Sequence, residues 1–468
     1  MANYYDDNDD LRFYVERGLD WERLVRLTEH DFRSPGGFRS VDEAVAFYKE
    51  TLSFVGQFVA DEIGAHALEL DRQHPKLVDG EVAYPERMEE LFAKLAALEL
   101  NGLSVPRELG GLNAPMAVFQ MTTELFARGD VSICAHHGFH GGMALAALMY
   151  SALEGTTTFD PELPGITGTR FRHVVDDILA GRSFGSMDIT EPHAGSDMAN
   201  LRTKGEQDAN GDWFVTGQKV FITSGHGRWH FVIARTEAPK PGEDAFAGLQ
   251  GLSMFLVPAF DERGVRAHTS IDAVEAKLGH HGSATVAISF DRAPAELIGQ
   301  RGEGFRYMLM LMNNARIGVG FEALGLAEAA YRQARAYAAD RTSMGKPIAR
   351  HEMIADYLDE ARTDLQAIRC LAMSAGYLEE VQQKLDLKLR FDPPADPAER
   401  ASLEEEIRQL RRRSRHLTPL LKYQASEKAV EIARRNVQIH GGAGYMVEIG
   451  AEKLLRDAIV MPICEVPS

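Results

Sequence analysis

The chain has 468 residues, 45% of them apolar and only 8% aromatic. That is enough for one large or two to four ordinary domains with an aliphatic, helix-rich core, and it excludes a disordered chain. A formal net charge of -18 opposes non-specific attraction to nucleic acid or anionic membranes, although a local basic patch could still hold a nucleotide.

The first residues, MANYYDDNDD, are acidic and polar where a secretory signal is basic and then apolar. No later stretch approaches the ~20 apolar residues of a membrane span, so a cytoplasmic protein without a membrane span is expected. The cysteines are Cys134, Cys370 and Cys464, with no C-x-x-C spacing. Neither a disulfide framework nor a zinc knuckle can be built from them, and reduced thiols are expected.

From about 41 to 151 the pattern is amphipathic helix, for example Met88, Leu91, Phe92, Leu95 and Leu98. Between about 184 and 293 it changes to short β-branched and aromatic runs, including Trp213-Phe-Val215, Met254-Phe-Leu-Val257 and the alternating Val286, Ile288 and Phe290. After Pro294 the helical period returns, with a stripe Ile354, Tyr357, Leu358, Ala361, Leu365, Ile368, Ala372 and Ala375 that one helix face would bury. Asp392-Pro-Pro-Ala-Asp-Pro397 must break that helix, and Ser402 with Glu405 offers a capping box for a new charged one. We read three domains: an N-terminal extension and helical domain over 1–183, a middle β domain over 184–293, and a C-terminal helical bundle over 294–468 with a surface insertion at about 380–418. The fold class is therefore mainly α with a central β domain, and a Rossmann sheet is not expected.

Gly318-Val-Gly320 superficially matches a dinucleotide fingerprint, but that motif follows a strand and here the preceding residues read as a methionine-rich helix. Small residues that let two helices approach are the preferred account. His351-Glu352 begins like a zincin helix, yet the second histidine would fall at Ala355. His136, His137 and His140 cluster with Cys134 without carboxylates at ligand spacing, so interior or pocket histidines are expected and no metal site.

A more specific signal is Met187-Asp188-Ile189-Thr190-Glu191-Pro192-His-Ala-Gly195-Ser196-Asp197. It reads as a strand end able to bond a heteroaromatic ring edge, then a small-residue loop able to approach a phosphate. Gly217-Gln-Lys219-Val-Phe221-Ile222-Thr223 follows and places an aromatic and a hydroxyl on one strand face. Together with Ala315-Arg316, the stretch from Tyr337 through Arg341 to Gly345, Val437-Gln438-Ile-His-Gly441-Gly442, and Arg456-Asp457 preceding Glu465, these segments resemble the acyl-CoA dehydrogenase family. The resemblance runs from about 80 to 466, and the long N-terminus and the insertion look like a larger bacterial subgroup of that family.

The resemblance implies an oxidoreductase that removes two hydrogens across the α,β carbons of an acyl-CoA thioester to give the 2-enoyl-CoA. It implies FAD as cofactor, because side chains cannot accept hydride, and an electron-transfer flavoprotein as electron acceptor. By the same resemblance, residues 187–190 contact the flavin pyrimidine edge, Phe221 lies against the rings, and Ile222 and Thr223 lie near its reactive nitrogen. Gly195 and Ser196 also belong to the cofactor site, while Ser196, Asn313 and Arg316 flank the coenzyme A thioester arm. Arg341, Gln438, Gly441 and Gly442 would reach a neighbouring subunit's FAD, so a homodimer or homotetramer is implied. Glu465 would be the base, since the family's alternative base position is here Ala315, and a carboxylate beside an apolar acyl pocket is desolvated and strengthened as a base.

Several positions depart from the family pattern. Phe221 stands for a tryptophan, Met344 for a phenylalanine, Glu352 for a glutamine, and Glu465-Val466-Pro467 for Glu-Gly-Thr. Family members continue beyond this point, so a truncated chain or a different terminal loop is expected. His136 and His137 fall where the family's acyl pocket ends, which suggests a short, bulky or polar acyl group. Two alternatives remain open at this stage. One is an oxidase-like reaction with oxygen, and the other is a flavin-bearing scaffold of the DNA-damage response, which the acidic charge disfavours.

Overall fold

Helices, then strands, then helices follow one another along the chain. The computed structural model describes residues 2–160, 162, 164–238 and 247–464. The first block contains α1 (Val41–Phe58), α2 (Glu86–Ala97), α3 (Met116–Gly129) and α4 (Val131–Glu154). Side chains set two of the starts: Ser40 accepts from the Glu43 N–H at α1, and Asp130 accepts from the Ser132 and Ile133 N–H groups at α4, satisfying donors that a helix end leaves free.

The middle block is β1 (Gly185–Asp188), β2 (Lys204–Gln207), β3 (Trp213–Thr223), β4 (Trp229–Arg235), β5 (Leu252–Pro258), β6 (Thr269–Val274) and β7 (Thr285–Ile298). Pairings of β7 with β3, β3 with β2, β2 with β4, β4 with β5 and β5 with β7 complete a circuit. The sheet is therefore a barrel, with β6 added on β7 and β1 running parallel to β4. Strand alternation sorts the side chains. Val232, Ala234, Phe255 and Val257 point into the barrel with Val215, Ile222 and Ile288, while Phe231, Ile233, Met254 and Leu256 face outward into a second core with helical residues.

The last block is α5 (Gly304–Asp340), α6 (Glu352–Phe391), α7 (Pro397–His440) and α8 (Ala451–Ala458). Its helices share one core with the first block, exemplified by Leu52, Phe126, Phe321, Ile368 and Leu421. Gly318 and Gly320 both lie inside α5, so the fingerprint reading fails on its missing strand. Gly320 is a packing glycine: a Cβ there would lie 2.7 Å from Leu421.

The 380–418 stretch is not a surface appendage. It is the distal part of the α6–α7 hairpin, and Val381, Leu385, Ile407 and Leu410 are buried. Glu380 even caps α3, accepting from the Met116 and Ala117 N–H groups at 2.8 and 2.9 Å. The second helix starts before Ser402, because Asp396 accepts from the Ala398 N–H and Pro397 occupies the first turn. Ser402 lies within α7 rather than at its cap.

Candidate active site

A cleft of about 1840 Å³ opens between the barrel and the helices, well above the about 300–1,000 Å³ of ordinary small-molecule pockets. The barrel supplies Met187, Ile189 and Thr190 at the end of β1, Phe221, Ile222 and Thr223 at the end of β3, and Thr285 at the start of β7. Helix α4 supplies Ala135, Gly138, Phe139 and Gly142, and α5 supplies Met312, Ala315, Arg316 and Val319, each set recurring at helical spacing. The loop after β1 adds Gly195 and Ser196. No atom lies within 4 Å of a Cβ built on Gly138, Gly142, Gly195 or Gly318, so these glycines border open space.

A buried ion pair fixes the loop after β1. The Lys219 ammonium donates to the Ile189 carbonyl and to Glu191 Oε1, both at 2.9 Å. Glu191 also accepts from the Arg202 and Thr203 N–H groups at 2.7 and 3.0 Å. Burial lowers the Lys219 pKa while Glu191 opposes the shift. Burial alone would raise the Glu191 carboxyl, but Lys219 and the backbone donors hold it below the usual range. Sequence reasoning passed over this pair, although both residues stand inside the motifs.

The C-terminal segment reaches the same cleft. Ile459, Val460, Ile463 and Cys464 all line it. They follow α8, which is held by Lys453, placed between Asp130 and Asp457, and by the His280 N–H, which donates to Asp457 at 2.7 Å. Neither Lys453 nor Asp130 carries a motif; only their approach in space marks them.

Of the residues expected at the site, Met187, Ile189, Thr190, Gly195, Ser196, Phe221, Ile222, Thr223 and Arg316 converge on the cleft. Asp188 does not: strand alternation turns it away, fully buried, to accept from Ser186 Oγ at 2.7 Å and pair with His230 at 2.9 Å. Asn313 lies beside Arg316, accepting from its Nη1 at 3.4 Å. Arg341, Gln438, Gly441 and Gly442 are exposed outside the cleft. They share one end of the bundle, where Tyr337 stacks on His440 at 4.1 Å. Glu465, Val466 and Pro467 lie outside the described residues. His136 and His137 are not at the end of the cleft; both are buried, on faces of α4 other than the one carrying Ala135, Gly138 and Gly142.

A helical block, a barrel and a helical bundle sharing one large cleft define a three-part architecture, and its cleft suits a flavin. Phe221 is 66% exposed and offers an aromatic surface, Thr190 and Thr223 line the cleft with it, and Gly195 leaves room for a close approach. Family models for the acyl-CoA dehydrogenase N-terminal, middle and C-terminal domains match residues 48–154, 186–293, and 302–389 with 399–465. The chain belongs to the acyl-CoA dehydrogenase family, whose members are FAD-dependent oxidoreductases acting on acyl-CoA.

Among its relatives, 3-methylmercaptopropionyl-CoA dehydrogenase of Ruegeria pomeroyi is 30% identical over 477 residues, covering 97% of this chain and 73% of that protein. Acryloyl-CoA reductase (NADH) of Anaerotignum propionicum is 29% identical over 413 residues, covering 87% and 88%. The solved structure of Caenorhabditis elegans ACDH-11 in complex with C11-CoA has the same fold, with a TM-score of 0.74 at 20% identity, covering 100% of this chain and 72% of that one. The family, the fold class and the cofactor thus agree with the motifs. Among the described residues no helix is long and apolar enough to cross a membrane.

Proposed function

We propose that this protein dehydrogenates an acyl-CoA thioester to the 2-enoyl-CoA with Glu465 as base, and passes the electrons to an electron-transfer flavoprotein. The observation that carries the reading is the arrival of the chain at the cleft wall at Cys464. Glu465 is the next residue in the sequence. The other position that hosts the base in this family is Ala315, which cannot take a proton.

When bound, FAD supplies the two-electron acceptor for the hydride that leaves the β carbon. Glu465 takes the α proton onto its carboxylate, and the departing pair becomes the new double bond. Ser196 and Arg316 flank the thioester arm, and the apolar wall of Met312, Val319 and Phe139 excludes water from the acyl group. Met187, Ile189, Thr190, Phe221, Thr223 and the backbone of Ile222 hold the flavin rings.

Arg341, Gln438, Gly441 and Gly442 serve the FAD of a neighbouring subunit, so the active unit is a homo-oligomer. Their exposure away from their own cleft supports this, as do Met344, Tyr445 and Val447, which are 92%, 76% and 56% exposed beside them in sequence. Large exposed apolar groups of this kind mark interaction surfaces.

Anaerobic titration with a panel of acyl-CoA thioesters tests the reading through loss of oxidised flavin absorbance. Bleaching by at least one thioester, with reoxidation by electron-transfer flavoprotein faster than by air, is expected. Rapid reoxidation by air alone favours the oxidase-like reaction, and no bleaching by any thioester contradicts the proposal.

A further inference from the structure

The end of β3 is not ordinary strand. Phe221 and Ser224 have φ of 62° and 59°, left-handed conformations that residues other than glycine keep only where neighbours hold them. Between them Ile222 and Thr223 pair with Val286 and Thr285 of β7, and the Ser224 N–H donates to the Ala284 carbonyl at 2.9 Å.

His136 of α4 bridges this last rung. Its Nε2 lies 3.3 Å from the Ala284 nitrogen, and its Nδ1 lies 2.8 Å from Ser224 Oγ. A backbone N–H can only donate, so Nε2 is the unprotonated nitrogen, and Nδ1 carries the hydrogen and donates to Ser224. The Tyr84 hydroxyl, 3.1 Å from the same Nε2, must then donate to it. Its oxygen is left to accept from His226 Nε2 at 3.3 Å. One backbone amide therefore orients four side chains, in the donor order His226, Tyr84, His136, Ser224. A second proton on His136 would set an N–H against the Ala284 N–H. Burial keeps the ring neutral, with its pKa well below the usual histidine value.

We propose that His136, backed by Tyr84 and His226, is a positioning residue that holds the 221–224 turn in its left-handed form and so sets how Phe221 and Thr223 meet the flavin. This rests on the reading that the turn contacts FAD. It also gives the histidine cluster a use that neither a metal site nor an acyl-pocket wall provides.

A neighbouring residue supplies the control. His137 is also buried on α4, but it stacks between Phe119 and Phe126, at 5.2 and 4.2 Å, in the helical core. The test compares FAD release from the holoenzyme, read as free-flavin fluorescence on dilution, and the visible flavin spectrum in His136→Leu, His136→Asn, Tyr84→Phe and His137→Leu. The expected result for His136→Leu is about tenfold weaker FAD retention, the scale of one to two lost hydrogen bonds, together with a shifted flavin band. Asn keeps a donor near the Nδ1 position and recovers most of the loss, while His137→Leu leaves both readouts at parent values.

Equal effects at His136 and His137, or no recovery by Asn, overturn the proposal. Where His136→Leu does not fold, Tyr84→Phe decides: a shifted band supports the relay and a parent-like band overturns it. Phe221→Ala separates the two levels. Parent-like FAD retention in Phe221→Ala removes the flavin reading of the turn, whereas weakened retention there with a parent-like His136→Leu removes the proposal alone.

Discussion

Lys453 on α8 lies 2.8 Å from Asp130, the N-cap of α4, and 2.7 Å from Asp457. One buried cation thus ties the segment that precedes Glu465 to the helix that lines the cleft. Burial opposes its charge, but the two carboxylates keep the ammonium above the usual lysine value. Burial would raise the Asp457 carboxyl, and Lys453 and His280 bring it below the usual aspartate value instead.

Lys453→Met leaves two buried carboxylates without their cation, and removing one partner of a buried pair typically costs about 3–5 kcal/mol. Thermal unfolding measures that loss. The substitution also frees the approach to Glu465, so flavin reduction by substrate is expected to slow more than FAD binding weakens. An unchanged melting temperature contradicts the buried-pair account. Adding Asp457→Asn relieves one orphan charge and is expected to recover part of the stability.

Arg369 has the same character in the helical core, donating to Glu124 and Glu328 at 2.7 and 3.0 Å and to Asp10 of the N-terminal extension at 3.1 Å. Burial alone would raise the Glu328 carboxyl, but Arg369 and Arg332 lower it below its usual value of 4.5. Its contribution to stability is therefore present above pH 4.5 and lost as the pH falls through the lowered value. Arg369→Met is expected to cost about 3–5 kcal/mol at neutral pH. The gap from the parent should narrow in acid, where the orphaned carboxylates take up protons. Denaturant unfolding at neutral and acid pH reads this directly, and a gap that widens in acid counts against it.

Gly318 and Gly320 sit two positions apart in α5 and predict opposite outcomes. A Cβ on Gly318 meets nothing within 4 Å, so Gly318→Ala is expected to stabilise the helix by about 0.5–1 kcal/mol. A Cβ on Gly320 would lie 2.7 Å from Leu421 Cγ, and overpacking of this kind costs about 1–3 kcal/mol. Calorimetry on the two variants should show shifts of opposite sign.

If Arg341 serves a neighbouring subunit's FAD as proposed, Arg341→Ala is expected to weaken FAD retention and the oligomer together, through loss of one charge-assisted phosphate contact, about 1.5–3 kcal/mol. Sedimentation in parallel with FAD release tests the coupling. Parent-like FAD affinity contradicts the role given to Arg341.

Local patterns made much of this fold legible. The short β-branched and aromatic runs such as Trp213–Val215, the alternation of Val286, Ile288 and Phe290, and the helical stripe from Ile354 to Ala375 are short-range signals, and the structure realises them as strands and a helix. Thr190, Phe221 and Thr223 could be placed at a site because motif residues converge there from two strand ends. Contacts between distant segments could not be read. Lys453 meets Asp130 across more than three hundred residues, and His136 meets Ser224 through the packing of α4 on the barrel. Two differences are local instead: strand alternation turns Asp188 away from the cleft to His230, and Asp396 with Pro397 begins α7 before Ser402 is reached.

The proposed reaction turns on Glu465 taking the α proton. Stopped-flow reduction of the bound flavin by a good acyl-CoA substrate, comparing Glu465→Gln with the parent under anaerobic conditions, tests it most directly. The expected variant retains FAD and binds acyl-CoA but reduces its flavin more slowly by at least the ~10² to 10⁴ typical of general base catalysis. Flavin reduction at close to the parent rate would contradict it.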